Sequence, residues 1–441
     1  MRAARWIGRS LAVVGIVLGG LGAGAQDSAN WSQWRGPTYN GAGSAKNLPD
    51  KLDKATALWS TPMPGHSNGT PVIHGDRIFT TASANDSMKL MAICLNKADG
   101  KVLWQHEVGD GFVKNSRNNF ASPSPVTDGK RVIFLYGNGL LAAFEMDGKP
   151  LWKRDLWKEH GKWNMLWLYA SSPLLYKNKL YVQAVHRNVA ANGLAAAKPG
   201  DTLAESYVLG IDPETGKDQF KVARPSDAVA ESRESFGTPI PWERPAGTQI
   251  LIAGGDCMTG HDPETGKEIW RAGGWNPEKI PHWRLVPSPV TWEGIAIACP
   301  PKGGKMIAWK EGGQGDVTQT HLAWKALELS TDVCVPLVYQ GKLYVLDGDK
   351  KTLSCGEPAS GTKIWSVPIE SRPVLRGSPT AGDGKIYATN EDGDVFCWSA
   401  VDGKLLSKVA LEAKGTRGSV ALVDGMVVVR SADKVWAFGT K

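Results

Sequence analysis

Short runs of alternating apolar and polar residues, separated by Gly, Pro, Asn and Asp, follow one another along almost the whole chain, and their order repeats. Units open on a Ser/Thr-Pro triplet: Thr70-Pro71-Val72, Ser124-Pro125-Val126, Ser172-Pro173-Leu174, Thr238-Pro239-Ile240, Ser288-Pro289-Val290 and Ser378-Pro379-Thr380. Val335-Pro336-Leu337 is a weaker copy, and Gly418-Ser419-Val420 has lost the proline. A turn and a strand-like run come next, as in Asn178-Lys179-Leu180-Tyr181-Val182 and Gly341-Lys342-Leu343-Tyr344-Val345. The following run sets a small residue before an apolar one, as in Leu141-Ala142-Ala143-Phe144 and Val435-Trp436-Ala437-Phe438. A Gly-Lys turn then feeds a last run ending in Trp104, Trp152, Trp270 or Trp365, with Phe220 and Trp324 in the same place. Period-two runs of β-branched and aromatic residues between glycine turns predict four short strands per unit.

The opening prolines lie 54, 48, 66, 50, 47 and 43 residues apart. Four-stranded units of about 40–50 residues set round an axis make a propeller, whereas the repeats of a linear solenoid are commonly shorter. The two ends of the chain decide between them. The eighth unit has three strands and lacks its Trp strand, while Ala57-Leu58-Trp59 stands spare ahead of the first triplet. Pairing the two removes two open sheet edges. The expected fold is all-β: an eight-bladed β-propeller of four-stranded antiparallel blades, closed by the N-terminal strand joining the last blade.

The first residues change the picture at one end only. Arg2, Arg5 and Arg9 precede the apolar run 11–21, and Ala23-Gly24-Ala25 offers a small-residue cleavage site, so 1–25 reads as a signal peptide. Residues 26–56 form a leader expected over the propeller, which takes 57–441. Export to the periplasm or outside the cell follows, with no transmembrane segment after cleavage and no cysteine placed for a lipid anchor. Losing the three arginines lowers the formal charge from +7 to +4, too mild for nucleic acid.

Half of the six cysteines fall on the repeat. Counting ten residues back from the closing aromatic puts Cys94, Gly210, Gly260 and Cys355 in one column, and Ala143 and Cys397 fit with a shorter turn. Buried free thiols packed as small hydrophobes explain that column, with a disulfide or redox role as the alternative. Cys257, Cys299 and Cys334 have no such account, and their disulfide state is open. Trp59, Trp104, Trp152, Trp270 and Trp365 occupy one repeat position and are expected to pack between blades. The eight histidines are scattered without ligand spacing, and no P-loop, G-x-S-x-G or H-E-x-x-H occurs. The run 187–205 inserted in the third unit is expected as an exposed loop or short helix.

The triplets, together with Gly210-Ile211-Asp212-Pro213-Glu214-Thr215-Gly216-Lys217 and the run from His261-Asp262-Pro263-Glu264-Thr265-Gly266-Lys267 to Trp270, resemble the pyrroloquinoline-quinone (PQQ) type propeller repeat over nearly all of 58–438. Trp31-Ser32-Gln33-Trp34-Arg35-Gly36-Pro37 also resembles the leader of exported bacterial PQQ-like proteins. The resemblance implies two kinds of function, because a fold hosts several. Quinoprotein dehydrogenases hold PQQ and Ca²⁺ in the central funnel, with a disulfide of adjacent cysteines and an Asp base. This chain has no adjacent cysteines, and nothing local selects Asp256 or Asp332 as a base. The other kind is non-catalytic and includes an envelope assembly lipoprotein.

Polar residues just before the triplets form the remaining constellation: Arg117 and Asn118, Arg233 and Glu234, Arg284, Asp332, Arg376 and Arg417. If the triplet begins the innermost strand, these residues meet at one mouth of the channel. Five arginines there would suit an anionic or carbonyl-rich ligand, since the guanidinium fork matches carboxylate and phosphate. The alternative is that they pair with Glu231, Glu234, Asp332 and loop carbonyls and simply fill the channel. The expected function is a non-catalytic binding or scaffold propeller of the cell envelope, without a cofactor, whose partner is an envelope protein or a small anionic ligand. The alternative is a PQQ- and Ca²⁺-dependent alcohol or sugar dehydrogenase.

Overall fold

The computed structural model describes residues 30–111, 117–187 and 205–439. The expected signal peptide 1–25 and nearly all of the 187–205 insertion lie outside them. Eight separate antiparallel sheets, each of four principal strands, make eight blades, as expected. Numbered from the triplet at Thr70, blade 1 comprises Val72–His74, Arg77–Ala84, Lys89–Asn96 and Val102–Asp110. Blade 8 comprises Ala421–Val423, Met426–Arg430 and Lys434–Gly439, with Trp59–Pro62 as its outermost strand. Trp59 lies opposite Ala437 and Pro62 opposite Lys434, and the Leu58 N–H donates to the Ala437 carbonyl at 2.9 Å. The chain's two ends therefore complete one sheet.

Three side-chain devices repeat from blade to blade and explain the sequence pattern. The first is the hydroxyl of the opening triplet, which accepts a backbone N–H from the blade before it. Thr70 N–H donates to Ser124 Oγ at 2.9 Å, Ser124 to Ser172 at 2.9 Å, Ser172 to Thr238 at 2.9 Å and Thr238 to Ser288 at 2.7 Å. Ser419 N–H donates to Thr70 Oγ1 at 3.1 Å, so the chain of bonds runs across the closure. Val335 in the sixth triplet has no hydroxyl to offer Ser288. Each bond satisfies a buried amide that would otherwise be costly.

The second device seats an aromatic of one blade on a turn glycine of the next. Trp59 lies on Gly100, Trp104 on Gly148, Trp152 on Gly216, Phe220 on Gly266, Trp324 on Gly361 and Trp365 on Gly403, where a Cβ would stand 2.2–2.7 Å from the ring. All six glycines have φ between 69° and 96°, so the turn and the ring both require glycine. The indole N–H of Trp59, Trp104, Trp152, Trp324 or Trp365 donates to a carbonyl of the next blade. Trp270 differs. Gly315–Asp316 from blade 5 pairs with Trp270 and Arg271 on the outer edge of blade 4, and the Trp270 N–H stays with Gln249 Oε1 at 2.7 Å.

The third device is the small column, which faces those aromatics across the strand pair. Cys94 is opposite Trp104, Gly210 opposite Phe220, Gly260 opposite Trp270 and Cys355 opposite Trp365. All six cysteines are buried free thiols, and burial pushes Cys94 and Cys397 up to about 12. They are packing residues.

The leader crosses the end of the propeller where the innermost strands turn outward. Gly41 and Gly43 exchange hydrogen bonds with Ala381, Ser32 accepts from Thr127, and Leu48 and Lys46 N–H groups donate to Asp383 and Asp424. Trp31 is wholly buried in the core of blades 1, 7 and 8. Arg35, also buried, donates to the carbonyls of Pro336 at 2.8 Å, Pro379 at 2.9 Å and Asn40 at 2.7 Å.

Candidate functional site

The central channel holds a cavity of about 570 Å³. Its wall carries the triplet hydroxyls of Ser124, Ser172, Thr238, Ser378 and Ser419, and Trp34 of the leader also lines it. At its mouth stand the loops that precede the triplets, joined by the loops between the second and third strands of blades 5, 6 and 7. Strands alternate in direction, so both kinds of loop lie at the same end of a blade.

Of the residues expected there, Arg117, Asn118, Arg284, Asp332, Arg376 and Arg417 line the cavity. Arg233 and Glu234 are not among the lining residues. The short 3-10 turn Ala230–Arg233 reverses the loop between blades 3 and 4. It brings Glu231 to the channel instead. Arg233 donates to the Ser226 carbonyl at 2.9 Å. Glu234 is fully buried, where it accepts from Arg187 and from the Leu166 N–H at 3.0 Å. Burial pushes its carboxyl up to about 7, against the pull of Arg187.

The mouth is a network of ion pairs. Arg284 forks onto Asp332 at 3.3 and 3.1 Å, and Arg376 forks onto Asp349 at 2.8 and 2.7 Å. Arg417 donates to Glu391 at 2.9 Å. Arg117 lies over the Trp167 ring at 5.7 Å, and the Trp167 indole donates to Glu231 at 3.1 Å. Asn118 bonds Ser122 and accepts from Asn68 at 3.2 Å. The network acts as one electrostatic unit. The Arg376 hydrogen bond holds Asp349 below the usual carboxylate range, with Arg284 and Arg117 adding to it from other blades. Pairing with carboxylates is thus the dominant arrangement of these arginines. Trp167, Glu231, Lys302, Asp349 and Glu391 complete the mouth.

A metal-held quinone would draw its metal ligands from the mouth carboxylates Glu231, Asp332, Asp349 and Glu391. Each mouth carboxylate already accepts from an Arg or Trp side chain. Among the described residues no three His, Cys, Asp or Glu side chains come together as metal ligands. Asp256, buried and bonded to Asn276 at 3.1 Å, lies outside the cavity lining.

Comparison with known proteins gives matches of three kinds. A family model described as outer membrane protein assembly factor BamB matches residues 50–256 and 349–440. A polyvinylalcohol dehydrogenase of Pseudomonas sp. is 24% identical over 409 residues, covering 79% of this chain; the match spans 62% of that protein's length. The assembly factor BamB of Nitrosomonas eutropha is 30% identical over 118 residues, 25% of each chain. Among solved structures, BamB from Moraxella catarrhalis superposes with a TM-score of 0.60 at 14% identity, over 88% of this chain and 98% of that one. A europium-containing methanol dehydrogenase superposes with a TM-score of 0.65 at 12% identity, over 94% and 99%. At such identities the superpositions speak for the fold alone.

Proposed function

We propose a function from one premise: the chain belongs to the family described as outer membrane protein assembly factor BamB. It is a non-catalytic binding propeller of the cell envelope, and the open mouth of its channel takes an anionic or carbonyl-rich ligand. The observation that carries this reading is the convergence of four arginines and a lysine on one pre-formed mouth, where among the described residues no three His, Cys, Asp or Glu side chains come together as metal ligands. A pre-formed concave site with a few convergent charged groups is the usual form of a ligand pocket, and its volume is in the ordinary range of about 300–1,000 Å³. Among the described residues no helix is long and apolar enough to cross a membrane.

The rival is a quinoprotein dehydrogenase of alcohols or sugars, favoured by the 409-residue likeness to polyvinylalcohol dehydrogenase. The full chain is incubated with PQQ and Ca²⁺, gel-filtered, and assayed for dye reduction with ethanol, glucose and polyvinyl alcohol. The expected result is no quinone absorbance co-eluting with protein and no substrate-dependent dye reduction. Stoichiometric quinone with substrate-dependent reduction would replace the proposed function with the rival.

A further inference from the structure

Once the ion pairs of the mouth are assigned, one cation stands apart. Lys302 lines the cavity, and its ammonium pairs with no described residue. Lys302 sits at φ 56° and ψ 36°, the left-handed region, inside the turn Pro301–Gly303. Lys177, Lys279 and Lys351 adopt the same region in other turns, so the conformation alone marks a turn; what distinguishes Lys302 is what fixes it. Here two prolines precede it, Gly303 follows at φ 68°, and its N–H donates to Asp332 Oδ1 at 2.7 Å. The same Asp332 carboxylate is gripped by Arg284. Asp332 therefore couples the ion-pair network to the loop that aims Lys302.

Charge balance leads to the same residue. Apart from His282, five cations and four carboxylates among the described residues line the cavity. Arg284, Arg376 and Arg417 each carry a carboxylate, and Arg117 is stacked on Trp167. One negative charge completes the set. A dianionic group would instead set a second charge against four resident carboxylates, at a cost in repulsion.

We propose that Lys302 is the seat of a single carboxylate at the channel mouth, and that Asp332 is the positioning residue that presents it. The ligand is a carboxylate carried by a small acid or by an acidic side chain of a polypeptide segment. This rests on the proposed binding function and names the group that the mouth recognises. A compact ammonium with three donors suits one carboxylate as a point charge, without the two-pronged geometry of Arg.

The test titrates the full chain with propionate and, separately, with a capped tripeptide carrying one glutamate, acetyl-Gly-Glu-Gly-amide, by calorimetry at low salt. Lys302→Gln, Lys302→Arg and the remote surface variant Lys404→Gln are compared with the parent. A charge-assisted hydrogen bond implies a loss of about tenfold or more in affinity for Lys302→Gln. Lys302→Arg and Lys404→Gln should stay within a few-fold of the parent, and all three should keep the parent's melting temperature. Binding of both probes would point to a small acid, and binding of the peptide alone to a polypeptide; either supports the proposal. Equal binding by parent and Lys302→Gln would overturn the role of Lys302 while leaving a carboxylate-binding mouth intact. No binding of either probe to the parent would overturn both this inference and the anionic-ligand part of the proposed function.

Discussion

The two ends of the channel use the same side chain in opposite ways. At the base, Arg35 of the leader is sealed against the blades, and its hydrogen-bond partners are three backbone carbonyls. Burial lowers its pKa to about 9. At the mouth, Arg284, Arg376 and Arg417 face carboxylates and remain open to the cavity. A guanidinium bound to carbonyls in a dry site ties strands together: the two terminal nitrogens of Arg35 answer three carbonyls, while its Nε is buried without a partner. One bound to carboxylates at a wet rim contributes little to stability, and its network can rearrange around a ligand. What a guanidinium meets therefore decides its role: Arg430, buried on the Gly65 and Ser431 carbonyls where the second strand of blade 8 reaches the mouth end, is of the first kind.

Replacements at the two ends should separate these roles. Arg35→Ala carries the largest expected effect. It strips three carbonyls of a charged donor and leaves a void between leader and blades, a loss of about 3–5 kcal/mol in chemical denaturation. Ser172→Ala, in the inter-blade hydroxyl chain, leaves the Ser124 N–H unanswered and should cost about 1–3 kcal/mol. Val335→Thr is its mirror image. It would give Ser288 the acceptor that this triplet lacks, and should raise stability by up to about 1 kcal/mol. Arg376→Ala, at the mouth, should change stability by less than about 1 kcal/mol, since Asp349 is partly exposed and can hydrate. If Arg376→Ala proved as damaging as Arg35→Ala, the contrast between the two ends would fail.

The loop between blades 3 and 4 reproduces that contrast on a smaller scale, with Glu231 at the mouth and Glu234 beneath it. The buried Glu234 carboxyl titrates at about 7 in the folded protein, against an ordinary value of 4.5. Between these values the folded chain holds a proton that the unfolded chain has released. The stability it contributes is therefore present below about pH 4.5 and is lost as pH rises towards 7. Melting temperatures of parent and Glu234→Gln, measured across pH 4.5–7, should diverge in that direction, the parent falling relative to the variant. A constant difference would place Glu234 among the ionised groups.

Much of this was legible in the chain because the repeat forces it. The Ser/Thr-Pro triplets, the turn glycines and the small column each answer one contact, so eight blades and their closure follow from spacing. Arg117, Arg284, Arg376 and Arg417 were found by counting back from the triplets, where every loop enters the mouth. Counting failed at Arg233 and Glu234, because one 3-10 turn shifts which side chain faces the channel. Lys302, Asp349 and Glu391 were missed for a different reason. They sit on the loops between second and third strands, which strand alternation brings to the same end. Arg35 gave no signal of its own, because its carbonyl partners come from blades 6 and 7, some 300 residues away in sequence.

That binding belongs to the mouth while the base is structural can be read by hydrogen–deuterium exchange on the full chain with and without the single-glutamate peptide. Added protection is expected in the loops around Arg284, Lys302, Asp332, Arg376 and Arg417, with the leader from Trp31 to Leu48 unchanged. Protection at the leader, along the outer strands, or nowhere would contradict it.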